Sequence, residues 1–152
     1  MLKKIFLIFI TINLLSHCEY QPVYSNQNNI EYKIIIKDFT GDKYINNLIA
    51  TSIKKSSKDS VKEVVNVSFN TKYSKIVIAK NSAGTITDYQ SNAVTTFKIE
   101  KKNNSESFVV NEKFNFQKMT DKYEEKNYER NIKKNLANSI SQKLILRLSV
   151  IK

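Results

Sequence analysis

Three successive segments of the chain alternate apolar and polar residues, and this pattern constrains the fold more than any other feature. The residues that share an apolar face are Val65, Val67, Phe69, Thr71 and Tyr73 in the first segment, Tyr89, Ala93, Thr95, Phe97 and Ile99 in the second, and Phe108, Val110, Phe114 and Phe116 in the third. Alternation of this kind is typical of half-buried strands. Residues 81–84 and 101–106 are polar and short, so we expect turns there and an antiparallel meander.

A fourth strand and a helix are predicted before the meander. In residues 30–39, Ile30, Tyr32, Ile34 and Ile36 lie on one face of the predicted strand. Asp42 is of the residue type that caps helices, and the apolar residues after it recur at helical spacing. These residues are Ile45, Leu48, Ile49 and Ile53. The polar residues 54–60 predict a loop after this helix.

The last apolar stripe predicts a long helix at the end of the chain. Asp121 can cap it, and Glu124 stands three places on, as in a capping box. The stripe repeats every four residues at Tyr128, Ile132, Leu136, Ile140, Leu144 and Leu148. The full order is therefore strand, helix, three strands, helix. It predicts an α+β two-layer sandwich, in which two helices cover one face of a four-stranded, largely antiparallel sheet.

The composition excludes several classes of site. The 152 residues suffice for one domain, but only two glycines occur, so no glycine-rich phosphate loop is possible. The chain has one histidine and one cysteine, which argues against histidine-based catalysis and against zinc or copper sites. We therefore expect no metal and no cofactor. The net charge of +11 either reflects AT-rich coding or favours an anionic partner, such as nucleic acid, a membrane surface or an acidic lipid.

The N-terminal residues indicate export and lipidation. Two lysines precede an apolar run at residues 5–15, which is too short to span a bilayer but is typical of an export signal. The run ends in Leu15-Ser16-His17-Cys18, which resembles the lipobox of bacterial lipoproteins. That resemblance implies a signal peptide at residues 1–17, a lipidated Cys18, a tether at residues 18–29 and a domain at residues 30–152. Alternatively, Cys18 is an ordinary buried thiol.

The residues after the cysteine extend the resemblance to one lipoprotein family. Tyr20, Pro22 and Tyr24 stand where the LPS-assembly lipoprotein family LptE has an aromatic residue, a proline and a further aromatic residue. Residues 127–148 are also similar to the last helix of that family. The resemblance implies a non-enzymatic lipoprotein on the periplasmic face of the outer membrane. There it would plug and assemble the β-barrel LptD and bind lipopolysaccharide. Tyr20, Pro22 and Tyr24 would lie at the barrel wall, or they belong to a simple tether.

Basic residues are the candidates for contact with lipopolysaccharide, which carries phosphates and acidic sugars. We expect those near strand ends or turns to bind it, namely Lys72, Lys75, Lys80, Lys101 and Lys102. The alternative for each is a solvated surface lysine.

Two other functions are compatible with parts of the sequence. An accessory lipoprotein of an ABC-type lipid or solute transport complex would share the anchor and the basic domain. A carboxylate-dependent hydrolase could use Asp38, Asp42 or Asp88, although no paired-carboxylate motif is present. Nucleic-acid binding conflicts with export, and no nucleic-acid motif is present.

Overall fold

A computed structural model describes residues 32–57, 61, 63–102 and 104–150 of the chain. The elements are β1 (Lys33–Gly41), α1 (Lys43–Ser56), β2 (Val64–Lys80), β3 (Ile86–Lys101), β4 (Asn104–Gln117) and α2 (Lys122–Val150). The strands form one sheet in the order β1-β2-β3-β4. The buried residues of both helices join those of the sheet in one core. The predicted α+β fold and its element order are therefore confirmed.

The sheet is antiparallel except at one edge. β2 pairs antiparallel with β3, and β3 with β4, whereas β1 runs parallel to β2. Parallel neighbours cannot be joined by a tight hairpin, so α1 supplies the crossover between them. The β1 pairing starts at Lys33 opposite Val64 and ends at Gly41 opposite Thr71. β2 therefore continues for nine residues beyond its last contact with β1.

Four phenylalanines, one from each strand, form a ladder across the sheet, and the Phe39 end of the ladder is exposed. The ring centroids of Phe39 and Phe69 are 5.3 Å apart, those of Phe69 and Phe97 are 5.5 Å apart, and those of Phe97 and Phe108 are 5.2 Å apart. Such separations are typical of favourable aromatic pairs. Phe97 is fully buried at the centre of this ladder. The predicted apolar faces of β2, β3 and β4 thus meet through Phe69, Phe97 and Phe108, whereas Phe39 is not among the residues predicted on the apolar face of β1.

The chain turns from β1 into α1 at Gly41 and Asp42. Gly41 has a φ of +98°, and a Cβ atom placed on it would lie 2.0 Å from the carbonyl oxygen of Thr71. Only glycine fits this conformation and this close approach. The Asp42 carboxylate then accepts a hydrogen bond of 2.9 Å from the backbone N–H of Ile45, so the predicted N-cap is confirmed. The predicted stripe is also confirmed, since Ile45, Ile49 and Ile53 are fully buried.

The terminal helix buries its apolar stripe over its C-terminal two thirds. Asp121 accepts from the N–H of Glu124 at 3.0 Å, which confirms the predicted cap. The buried residues are Ile132, Leu136, Ala137, Ile140, Ser141, Leu144, Ile145 and Leu148. Tyr128, at the start of the predicted stripe, is 37% exposed and contacts the Phe116 ring. At 1.5 Å per residue α2 is about 43 Å long, and its first turns carry mainly polar side chains.

Some predicted boundaries are wrong by a few residues. α1 continues to Ser56, where the sequence predicts a loop from residue 54, because Lys54 and Lys55 are favourable in the last turn of a helix. The β3–β4 turn is tighter than the predicted 101–106, since β3 ends at Lys101 and β4 begins at Asn104. Over the described ranges, no helix has an apolar stretch long enough to cross a membrane.

Candidate ligand-binding and partner-binding surfaces

The proposed anchor and barrel contacts lie outside the described residues. This applies to Cys18, Tyr20, Pro22 and Tyr24, as well as to the predicted signal peptide and tether at residues 1–17 and 18–29. Their roles stay predictions. The five candidate lysines are all described, and their surroundings differ in a way that the sequence does not indicate.

Lys75 connects β2 to the start of α2. Its ammonium group lies 2.7 Å from a carboxylate oxygen of Glu125 and 3.4 Å from one of Glu129. The same group lies 4.1 Å from the centroid of the Tyr89 ring, a cation–π distance. Burial lowers the pKa of Lys75, but the hydrogen bond to Glu125 and the charge of Glu129 outweigh it and raise that pKa. The positive charge of Lys75 is therefore already balanced within the fold.

Tyr73 belongs to the same network. Its hydroxyl donates to Glu129 at 2.8 Å and lies 2.8 Å from the hydroxyl of Ser91. Burial, together with the carboxylate of Glu129, raises the pKa of Tyr73. In turn, the hydrogen bond from Lys75 lowers the pKa of Glu125. We refer to Tyr73, Lys75, Glu125 and Glu129 as the polar network. It joins the second half of β2 to the first turns of α2.

Lys101 and Lys102 are also engaged by neighbouring side chains. The ammonium group of Lys101 donates to the Tyr32 hydroxyl at 2.8 Å and lies 3.3 Å from a Glu63 carboxylate oxygen. Lys102 lies 3.1 Å from the other oxygen of Glu63. Hydrogen bonds from Lys102 and Lys101 hold the pKa of Glu63 below its usual value. This carboxylate therefore offsets much of the positive charge at the β3–β4 turn.

Lys72 and Lys80 are exposed and form no ion pair with any described residue. Lys72, like Lys75, lies in the middle of β2 and not near a strand end, because β2 runs on unbroken from Val64 to Lys80. Lys80 does lie at a strand end.

Lys101 stands at the far end of the sheet, near Asn66, whose partner is Glu100. About 14 residues of strand, or roughly 46 Å, separate Asn66 from Lys80. The five lysines therefore do not form one site.

A basic surface that the sequence analysis missed lies between the N-terminal parts of α1 and α2. It is a shallow depression lined by Tyr44, Lys126, Glu129, Arg130 and Lys133. Lys133 lies 3.0 Å from Asp42, and Glu129 belongs to the polar network. Lys126 and Arg130 are exposed and have no acidic partner in the described part of the chain. The four-residue spacing of these two cations on a predicted helix is the signal that could have identified them.

The acidic residues considered for catalysis are not grouped. Asp42 caps α1 and pairs with Lys133. Burial raises its pKa, but the hydrogen bond from Ile45 and the Lys133 charge together lower it below the usual value. Within the residues that the structure describes, no three histidine, cysteine or acidic side chains are close enough to hold a metal ion.

The overall fold is one that a bacterial lipoprotein adopts. The structure is similar to that of rare lipoprotein B from Shewanella oneidensis, with a TM-score of 0.52 and 10% identity over 71% of this chain and 93% of that one. A minor lipoprotein from Acinetobacter baumannii gives 0.49, with 11% identity over 73% and 94% of the two chains. A lipoprotein from Caulobacter crescentus also gives 0.49, with 6% identity over 78% and 88%. No family model matches the sequence, and no curated protein matches it.

Proposed function

We propose that this chain is an outer-membrane lipoprotein that binds lipopolysaccharide and assists a β-barrel of the LptD type. The likeness of its fold to the Shewanella oneidensis lipoprotein is the observation that carries the proposal. The lipobox-like Leu15-Ser16-His17-Cys18 supports it independently, because a cysteine at that place is the acceptor of a lipid anchor. The proposal assigns no catalytic step to the chain.

The distribution of unpaired charge supports an anionic ligand. Lys126 and Arg130 stand four residues apart on one helix, and no described carboxylate pairs with either. An arginine presents a planar donor fork and a lysine a compact charge, a combination suited to phosphate groups. Lys72 and Lys80 are the predicted ligand-binding residues that remain free for such contacts, whereas Lys75, Lys101 and Lys102 would first have to leave internal partners.

Binding to lipopolysaccharide can be measured with charge-reversed variants of the full chain. We expect Lys126→Glu with Arg130→Glu to weaken binding at least tenfold at low salt, because each reversal replaces an attraction by a repulsion. Lys54→Glu with Lys55→Glu is the matched control, since it makes the same change of net charge at the end of α1. Equal losses in both double variants would show that only net charge matters and would remove the proposed site.

The anchor and the partner need separate measurements. Mass spectrometry of the protein from membranes should find lipid on Cys18, and Cys18→Ser should release the chain from the membrane fraction. A pull-down in mild detergent should recover an outer-membrane β-barrel. Recovery of an ABC transporter instead would favour the accessory role in lipid or solute transport. Replacing Tyr20 and Tyr24 by serine should reduce barrel recovery if these residues contact the barrel wall.

A further inference from the structure

The edge of β2 beyond β1 is unpaired among the described residues. β1 ends opposite Thr71, and β2 continues to Lys80 with β3 on its other side. At about 3.3 Å per residue this open edge is roughly 30 Å long. Exposed edges of this length are places where another extended chain can add to a sheet.

The direction of the backbone groups along this edge follows from the bonds that β1 makes. The carbonyl oxygen of Glu63 accepts a hydrogen bond from the backbone N–H of Lys33, and the carbonyl oxygen of Thr71 accepts one from that of Asp42. The odd-numbered residues of β2 therefore point their backbone N–H and C=O groups away from β3. The register with β3 is regular up to Val77. The N–H and C=O groups of Tyr73, Lys75 and Val77 therefore point outward. They form a row that continues the β1 pairing.

The side chains along the same edge combine an apolar centre with basic ends. Ile76, Val77 and Ile78 are consecutive and are 48%, 43% and 43% exposed. Lys72 precedes them and Lys80 follows them, both exposed and without an ion pair among the described residues. An apolar centre favours an apolar partner, and unpaired lysines at both ends favour acidic residues opposite them.

A second copy of this chain fits the edge poorly. Antiparallel pairing of two copies centred on Ile76 would bring Lys72 of each copy towards Lys80 of the other, even with the irregular register of β2 between Val77 and Lys80. Like charges placed opposite each other across a strand pair are destabilising. The net charge of +11 adds a repulsion between whole molecules.

We propose that the open edge of β2, residues 72–80, binds an extended segment of another protein as a fifth strand. The segment has an apolar centre and an acidic residue near each end. Its backbone pairs with Tyr73, Lys75 and Val77, its apolar side chains cover Ile76 to Ile78, and its carboxylates meet Lys72 and Lys80. This goes beyond the proposed function, because it rests on the open sheet edge and its flanking lysines and requires neither a lipid nor a barrel.

A designed peptide tests this directly on the full chain in detergent micelles. The probe has nine residues, with valine and threonine alternating in the centre and aspartate at both ends. We expect saturable binding by calorimetry, with the largest amide NMR shifts at Tyr73, Lys75 and Val77. The same peptide with lysine at both ends should bind at least tenfold more weakly. A version methylated on the backbone nitrogens of one edge should lose binding if strand pairing is responsible.

Two variants of the protein test the same contacts from the other side of the complex. Lys72→Glu with Lys80→Glu should reverse the preference, so that the lysine-ended peptide binds at least tenfold more tightly than the aspartate-ended one. Val77→Pro removes an outward N–H without taking a bond from the β3 pairing, and should weaken binding at least fivefold. Absence of saturable binding, shifts centred elsewhere, or an unchanged preference in the charge-reversed variant would each overturn the proposal. Dimerisation of the chain without peptide would also overturn the proposal, if the dimer protects the backbone amides of the same three residues from hydrogen exchange.

Discussion

The two halves of β2 belong to one strand but differ in their side-chain pattern and in their neighbours. From Asn66 to Thr71 the strand lies between β1 and β3, and Val65, Val67 and Phe69 are buried beneath the helices. From Lys72 to Lys80 it is paired only with β3, and most of its side chains are exposed. The first half is held by apolar contacts, whereas the second is held to α2 by the polar network.

This difference separates stability from recognition along one strand. Burial of apolar surface supplies most of the stabilisation of a fold, so the first half contributes heavily to the free energy of unfolding. The second half leaves backbone groups, apolar side chains and lysines accessible, which are the groups a partner can use. Mutations in the first half should therefore lower the free energy of unfolding more than mutations in the second half. Mutations in the second half should have the larger effect on partner binding.

The largest expected effect is at the centre of the phenylalanine ladder. Phe97→Ala should lower the free energy of unfolding by about 4 kcal/mol, because it leaves a cavity where the ring contacts Phe69 and Phe108. Ile76→Ala, in the exposed half, should change it by no more than about 0.5 kcal/mol. Urea unfolding followed by circular dichroism measures both. Similar losses in the two variants would contradict the separation of roles.

A nearly equal effect is expected where β1 ends. Gly41→Ala should cost about 3 kcal/mol, because the added methyl group collides with the Thr71 carbonyl and the backbone has a positive φ. Gly84→Ala is the matched control in the hairpin at the other end of β2. Gly84 also has a positive φ, of 77°, but an added Cβ meets no atom within 4 Å there. It should cost only about 1 kcal/mol, from backbone strain alone.

The sequence predicts the elements of this fold well because its periodicities are strong. Each alternating segment became a strand, and the stripe from Ile45 to Ile53 became a buried helix face, since each residue's burial follows from the spacing of its neighbours. The parallel pairing of β1 with β2 is not visible in the pattern of either strand. It follows only once α1 is recognised as a crossover, and the length of the open β2 edge depends on where β1 stops.

The sequence could not show which candidate lysines have partners within the fold and which are free. Whether a lysine is free depends on carboxylates that are distant in the chain. Lys75 meets Glu125 and Glu129 across about 50 residues, and Lys101 meets Tyr32 across 69. Such pairs depend on how a helix is placed over a sheet. Lys126 and Arg130 could have been chosen, because their spacing on one helix is a local feature.

A moderate effect should distinguish the N-caps of the two helices. Asp42→Ala should lower the free energy of unfolding by about 1.5 kcal/mol, because it removes both the cap of α1 and the ion pair with Lys133. Asp121→Ala removes an exposed cap of α2, and we expect a loss of about 0.7 kcal/mol. Urea unfolding again provides the measurement. A larger loss at Asp121 would mean that the start of α2 is more important for stability than its exposure implies.

The smallest expected effect is the pH dependence of the polar network. The Lys75 ammonium lowers the pKa of Glu125 in the folded chain below its ordinary value of 4.5. A lowered carboxyl pKa stabilises the folded state above the unfolded pKa, and this contribution is lost as the pH falls from about 4.5 through the folded value. Lys75→Met should therefore reduce stability at pH 7 by about 1 kcal/mol and lessen the decline below pH 4.5.

Lys98→Met, which breaks the exposed pair with Glu100, is the control and should leave the decline unchanged, because that pair is more solvated. If the two variants gave the same pH profile in urea unfolding, the polar network would contribute no more than an ordinary surface pair. The second half of β2 would then be held to α2 by something other than these charges.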